Sequence, residues 1–237
     1  MKKKIVVTGG TGRFGITLKK TKSSYNFVYP GKKKLDITNF NKTRLYLKKN
    51  KPSMVIHLAG LSRPMRIHEK NISKSIDLNI IGTCNLVKIC SEFQIKLIYF
   101  STSYIYPGKK GNYNEKDSLL PWNNYGWSKL GGESAVQMYK NSLILRVCMT
   151  EKPFIHKKAY ANVKTNFIYQ EDLVKKFLKL LKKKGIINIG GPSQTVYKFA
   201  LKYNKKIKKK YSKGEFPKRI DMNLAKLNKM LSKNESH

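Results

Sequence analysis

A short β-branched run, Lys4-Ile5-Val6-Val7-Thr8, passes directly into Gly9-Gly10-Thr11-Gly12-Arg13-Phe14-Gly15 and then into residues with apolar positions at helical spacing. No other stretch narrows the fold as much. A strand that turns into a helix through glycines presents bare backbone at the end of a parallel strand, and that context separates this loop from an ordinary tight turn. Apolar β-branched stretches go on alternating with helical patterns, which is the signature of βαβ units. The expected class is α/β, a doubly wound parallel sheet.

The alternation predicts strands at Lys4–Thr8, Asn26–Tyr29, Leu35–Ile37, Ser53–Leu58, Ile95–Ser101 and Ser142–Val147. Helices are expected over Arg13–Lys20, Asn39–Asn50, Ile72–Phe93 and Asn124–Lys140, with a loop from Gly108 to Pro121. The pattern weakens after Thr150: a strand at Asn166–Tyr169, a basic helix at Glu171–Lys183, a strand at Ile186–Ile189 and a last helix at Leu224–Leu231. A chain of 237 residues can bury one substantial core, so one compact unit is expected.

Glycine at positions 9, 12 and 15 suits a pyrophosphate, whose oxygens need backbone amide groups close by with no side chain in the way. Gly9, Thr11, Gly12, Arg13, Phe14 and Gly15 are therefore candidate dinucleotide-binding residues. Where NAD is preferred, an acid usually closes the second strand and bonds the adenosine ribose. Here that strand ends Val28-Tyr29-Pro30-Gly31 with Lys32, Lys33 and Lys34 behind it. The 2′-phosphate of NADP(H) fits such a stretch better, with Lys32 as its partner and NAD(H) as the alternative.

Tyr125 and Lys129 stand four apart, so on a helix they share one face. An ammonium there stabilises a phenolate and brings a phenol into the range of proton exchange. Thr102 follows the buried strand that ends at Ser101, where a parallel sheet places functional groups, and its hydroxyl could position the same substrate oxygen. The three residues make a carbonyl-reducing constellation.

Composition limits the partners. There are 50 Lys and Arg against 13 Asp and Glu, a formal charge of +37, so polyanions are attracted at low salt. The lysines are spread along the chain, which reads as a solvated basic surface and implies no specific nucleic acid; the run Lys205 to Lys213 is the best exception. Cys84, Cys90 and Cys148 have no metal-ligand spacing and read as buried free thiols, and no metal site is expected. Ile5-Val6-Val7 is too short for a signal peptide or a membrane span, which makes a cytoplasmic protein the expectation.

Taken in order, TGGTGRFG, VIHLAG at 55–60, DLNIIGT at 77–83, STSYIYPG at 101–108 and YGWSKLGGE at 125–133 resemble the extended short-chain dehydrogenase/reductase family. Within it the chain is most similar to the dTDP-4-dehydrorhamnose reductases, which carry a similar LDIT stretch, Ser-Thr-x-Tyr strand end and Tyr-Gly-x-Ser-Lys helix. The resemblance implies a Rossmann-type sheet, with Thr102, Tyr125 and Lys129 as the catalytic trio and Lys129 also holding the nicotinamide ribose. It sets Asp36 and Ile37 by the adenine, Leu58, Ala59 and Gly60 by the cofactor's middle, and Asn79 behind the site. Ser62, Ser103, Tyr104 and Arg146 would face the substrate. It also divides the chain into a dinucleotide-binding domain at 1–148 and a small substrate-binding part at 149–237 that completes the same compact unit.

Nucleotide-sugar dehydratases carry an Asp-Glu pair after the catalytic hydroxyl, and GDP-fucose synthase a cysteine. This chain has Ser103 and Tyr104 there, which favours plain reduction. Ser103 also replaces the aspartate usual in the reductases, and the link Val147 to Thr165 is short, so the substrate-binding part is expected to be reduced. The expected function is an NADP(H)-dependent reductase of a keto sugar, of the 4-keto-6-deoxy nucleotide-linked kind. An epimerase of the same fold and a non-catalytic cofactor-binding regulatory or scaffold subunit are the alternatives. The expected partner is an anionic small molecule, a nucleotide sugar, and helices beside the Tyr125 stretch could support a homodimer.

Overall fold

The computed structural model describes residues 3–232. In chain order its first elements are β1 (Lys4–Thr8), α1 (Arg13–Lys20), β2 (Asn26–Val28), α2 (Phe40–Asn50), β3 (Met54–His57), α3 (Ile67–Lys70) and α4 (Ile72–Ile76). A π turn (Asp77–Ile81) leads into α5 (Gly82–Glu92), followed by β4 (Lys96–Thr102), a 3-10 turn (Ser103–Ile105), α6 (Asn124–Gln137) and β5 (Ser142–Val147). The remainder comprises β6 (Met149–Thr150), β7 (Lys158–Tyr160), β8 (Lys164–Thr165), β9 (Ile168–Tyr169), α7 (Gln170–Leu178), β10 (Gly185–Ile189), β11 (Gln194–Thr195), α8 (Val196–Leu201), β12 (Lys208–Lys210) and α9 (Ala225–Ser232).

A six-stranded sheet runs in the order β10-β5-β4-β3-β1-β2, with β1 parallel to β2 and β3, and β3 parallel to β4. The chain goes from β1 to one side and returns to β3 on the other. The ends of β1 and β3 thus flank the point where strand order reverses, with Thr8 in register with His57. In open α/β sheets, ligands bind beyond the strand ends at such a reversal.

The residues divide into two compact units. The first holds the described residues up to Ser101 together with Trp127–Leu145 and Leu181–Ile186; the second holds Thr102–Gly126, Arg146–Leu180 and the described residues from Ile187 to Ser232. The stretch after β4, Thr102–Gly126, groups with the later part of the chain. In the first unit Val6, Leu47, Val55, Leu86, Ile89, Leu97 and Tyr99 are wholly enclosed in one apolar cluster. In the second, Phe154, Ala159, Val163, Tyr169, Val196, Phe199, Ala200 and Ile207 form another.

Several expectations need correction. Leu35 and Ile37 are buried but form no strand. The Asp36 carboxylate accepts hydrogen bonds from the Thr38 amide (3.1 Å) and hydroxyl (2.7 Å), and the amides of Lys34 and Leu35 donate to Gly31 O, so local turns satisfy groups a ladder would have needed. The helix expected over Ile72–Phe93 is broken by the π turn at Asp77–Ile81, an insertion apolar periodicity does not register. The basic helix at Glu171–Lys183 stops at Leu178. Cys84 is half-exposed, while Cys90 and Cys148 are buried and all three are free thiols. Among the described residues no helix is long and apolar enough to cross a membrane.

Candidate active site

At the end of β1 the Thr8 hydroxyl lies 3.0 Å from His57 Nδ1 and accepts the Ala59 amide at 3.2 Å, tying the two strand ends together. Gly9 has φ +68°, and a Cβ there would stand 2.4 Å from Ala59 N, so backbone conformation and close approach both require glycine. A Cβ at Gly15 would meet Gly10 Cα at 2.7 Å, so the third glycine lets α1 pack down onto the loop. Gly12 is the N-cap of α1 and provides no side-chain cap, and the first turn carries no acid. The open amides and the positive helix end can take an anion, as a pyrophosphate requires. Thr11, Gly12 and Arg13 are exposed, whereas Phe14 is buried with its ring 5.0 Å from that of Phe100, leaving its backbone as what it can offer a ligand. Arg13 Nη2 donates to Ser62 Oγ at 3.2 Å, linking the first residue of α1 to the loop after β3.

Lys32 Nζ lies 3.7 Å from the Asp36 carboxylate, four residues on. Burial pulls the Asp36 carboxyl upward, but the Thr38 hydrogen bonds and Lys32 outweigh it and the group lies below its ordinary value. Lys32, Lys33, Asp36, Asn39 and Lys42 line an open cavity of about 290 Å³. A neighbouring one of about 430 Å³ is lined by residues 28–34 and Tyr46. Tyr29 Oη is buried there with no hydrogen-bond partner, and burial pushes the phenol up to about 12. Ile37 is buried, accepts Asn85 Nδ2 on its carbonyl at 2.9 Å, and packs where a Cβ at Gly82 would come within 2.7 Å of its Cδ1.

The π turn sets Asn79. Its Oδ1 accepts the Leu61 amide at 2.7 Å, and its Nδ2 donates to Leu61 O and to Ser128 Oγ, each at 2.9 Å. Leu58, Ala59 and Gly60 leave β3 immediately before this anchor, and a Cβ at Gly60 would strike Asn79 Oδ1 at 2.8 Å. Helix α6 approaches the same turn through two glycines: a Cβ at Gly132 would stand 2.4 Å from Asn79 O, and one at Gly131 2.8 Å from Ile80 Cδ1.

That approach determines the surroundings of Lys129. Its Nζ sits 4.0 Å from the centroid of the Tyr99 ring, and Tyr99 Oη donates to Lys129 O at 2.9 Å. Burial holds the ammonium down to about 7 from the usual 10.5, against the opposing charge of Glu133 one turn on. His57, bridging the hydroxyls of Thr8 and Thr83 at 3.0 Å each, is held down to about 3 by burial and by Lys129, so it stays neutral. Tyr99, His57, Thr83 and Ser128 were not foreseen as supports. Only Ser128, inside the Tyr-Gly-Trp-Ser-Lys stretch, had a sequence signal.

In the second unit Thr102 closes β4, is 5% exposed, and caps the following 3-10 turn by accepting the Tyr104 amide at 3.3 Å, which leaves its own hydroxyl proton to donate. Ser103 is buried. The Tyr104 ring stands edge-on to that of Tyr125 at 5.8 Å and 5.1 Å from Trp122, which in turn meets Phe216 at 5.1 Å. A Cβ at Gly126 would stand 2.5 Å from Tyr104 O, so the first turn of α6 lies directly on the 3-10 turn. Arg146, 1% exposed, donates from Nη1 to Tyr106 Oη at 2.8 Å and to Glu115 O at 3.0 Å, inside the fold. Tyr125 and Lys129 themselves are one helical turn apart on α6.

A nucleotide-ready glycine turn at a sheet reversal, with a Tyr and a buried Lys four apart on the helix after β4, defines the Rossmann-type short-chain dehydrogenase/reductase class. The family model described as RmlD substrate binding domain matches residues 2–189, and the chain belongs to that family.

The chain is similar in structure to a dTDP-4-dehydrorhamnose reductase from Bacillus anthracis in complex with NADP, at 23% identity and TM-score 0.87, covering 96% of this chain and 91% of that one. A hypothetical dTDP-4-dehydrorhamnose reductase from Sulfolobus tokodaii is 25% identical with TM-score 0.83, covering 98% and 95%. Among curated proteins, methionine adenosyltransferase 2 subunit beta of Danio rerio is 29% identical over 155 residues, 61% of this chain and 47% of the relative. The chain spans less than half the length of the curated relatives it matches.

Proposed function

We propose that the chain is an NADP(H)-dependent reductase of the keto group of a 4-keto-6-deoxy nucleotide sugar. The observation that carries the reading is the buried Lys129 ammonium, held near neutrality above the Tyr99 ring, one turn from Tyr125 on α6. Strongly perturbed titratable groups gather at active sites, and a buried lysine one turn from a tyrosine supports this reading.

The glycine cradle at Gly9, Gly12 and Gly15 would hold the pyrophosphate, Asp36 and Ile37 the adenine, Lys32 the 2′-phosphate, and Asn79 would brace the strand of loop at Leu58 to Leu61. NAD(H) would bind through the same cradle without the Lys32 contact. When bound, the nicotinamide supplies a hydride to the carbonyl carbon. Tyr125 Oη gives a proton to the carbonyl oxygen, Thr102 Oγ1 donates a hydrogen bond to it, and Lys129 stabilises the phenolate left behind. Ser62, Ser103 and the aromatic ring of Tyr104 belong on the substrate side, with Arg146 bracing the segment from Tyr106 to Glu115 from within. A cytoplasmic location and a homodimer go with this reading.

The test is oxidation of NADPH, followed by its absorbance, across a panel of 4-keto-6-deoxy nucleotide sugars. Turnover with at least one supports the proposal, and cofactor binding without turnover on any of them refutes it. The latter outcome would favour a cofactor-binding subunit, a reading that draws on the similarity to a protein named as a subunit.

A further inference from the structure

The lysine run near the C-terminus is not absorbed by the reductase reading. In the second unit Lys208–Lys210 form β12, which pairs parallel with β7 and sets Lys208 in register with Lys158. Both are exposed, and Lys157, Lys205, Lys206 and Lys209 are exposed around them. Like charges on adjacent strands in register cost a ribbon a little stability, which an anion lying across the pair would relieve. The nearby carboxylate of Glu215 is already committed, bonding the Lys213 amide at 2.7 Å and Tyr160 Oη at 3.1 Å.

Aromatic rings are interleaved with these charges. On the face that carries Lys158 and Lys208, Lys210 Nζ lies 3.8 Å from the Tyr160 ring centroid, while Lys209 Nζ, on the alternate face, lies 5.3 Å from that of Tyr197. In sequence the run is bracketed by Tyr203, 55% exposed with its ring 4.7 Å from that of Tyr169, and by Tyr211, 61% exposed. Rings that keep half or more of their surface in water, flanking a cationic strand in sequence, are elements of a single-strand binding surface, where lysines follow the phosphates and rings stack on bases without reading their order.

We propose that the β7–β12 ribbon, with Tyr203 and Tyr211, is a sequence-tolerant docking surface for single-stranded nucleic acid. General attraction by a chain of charge +37 would bind any polyanion, so the test has to separate position and stacking from charge. The probe is fluorescein-labelled (dT)20, its binding to the full chain read by anisotropy at two salt concentrations, with inorganic polyphosphate as competitor. Tyr203→Ala with Tyr211→Ala should weaken (dT)20 binding roughly fivefold or more per ring, leaving the affinity for polyphosphate, worked from the displacement curves, unchanged.

Lys158→Gln with Lys208→Gln should weaken it more than Lys19→Gln with Lys48→Gln, which remove the same charge from exposed positions on α1 and α2. Unfolding temperatures of all variants are measured alongside; relief of the Lys158–Lys208 repulsion should leave the ribbon pair no less stable than the parent chain. Binding of (dT)20 that is unaltered by the tyrosine changes, or weakened equally by both lysine pairs, overturns the proposal. So does a ribbon pair that binds (dT)20 as the parent does but loses binding to phosphatidylserine vesicles, which would make the surface a membrane contact.

Discussion

Replacing Lys129 by methionine should stabilise the protein near neutral pH, by an amount that vanishes as the solution becomes basic. The ammonium is taken from an ordinary value of 10.5 down to about 7 by burial, so the folded state resists the charge that the unfolded chain accepts freely. At about 1.4 kcal/mol per tenfold, that gap sets the cost near pH 7 on the order of 4 kcal/mol. The cation–π contact with Tyr99 is lost in the variant and returns about 1–2 kcal/mol of this. The net gain is ~2–3 kcal/mol, or an unfolding temperature higher by roughly 5–10 °C.

The sign of the pH dependence follows. Between about 7 and 10.5 the unfolded chain binds more protons at this lysine than the folded one, so its contribution to stability rises with pH through that window and is level below it. Calorimetric unfolding of both proteins at pH 6.5, 8, 9 and 10 should show the variant ahead at the acid end and the two converging at the basic end. The other lysines titrate in both proteins and cancel in the difference. A difference that stays constant across the series would refute the claim that Lys129 is desolvated, and with it the main support for the active site. The same variant should have no reductase turnover, an exchange of stability for function expected where an active site holds a strained charge.

Other expected outcomes concern the rest of the site. Tyr125→Phe should abolish reduction and leave NADPH affinity, measured by calorimetric titration, nearly intact; unchanged turnover would remove Tyr125 as the acid. Lys32→Ala should weaken NADP binding by roughly tenfold with NAD binding unaffected, the contact being a charge-assisted hydrogen bond to the phosphate. Equal losses for both cofactors would place the 2′-phosphate elsewhere. Gly9→Ala forces a Cβ to within 2.4 Å of Ala59 N at φ +68°, so it should cost about 1–3 kcal/mol in urea unfolding and eliminate cofactor binding. Asn79→Ala should lower stability by about 1–3 kcal/mol, because the Leu61 amide and carbonyl lose their partners.

What could be read from the residues alone was local. The glycines after β1 follow from backbone geometry within one turn, and the shared face of Tyr125 and Lys129 follows from the helical repeat, so both were legible without any knowledge of packing. Most strands and helices through Val147 were legible for the same reason, apolar periodicity being a property of neighbours, but α3 and the π turn were not. Where a side chain competes with the periodicity, as Asp36 does by capping its own turn, the apolar pair Leu35 and Ile37 looked like a strand and was not. The short strands β6, β7 and β8 left little trace, since pieces of two or three residues are held by their partners and carry hardly any pattern of their own.

Tertiary structure alone decided the chemistry of Lys129. Its charge is governed by Tyr99, thirty positions earlier, and by the approach of α6 to the π turn through Gly131 and Gly132. It likewise joined Asn79 to Ser128, 49 residues apart. Spacing along a chain tells which groups can face the same way. The energy of a charge depends on how much water surrounds it, and that is set by residues folded in from elsewhere.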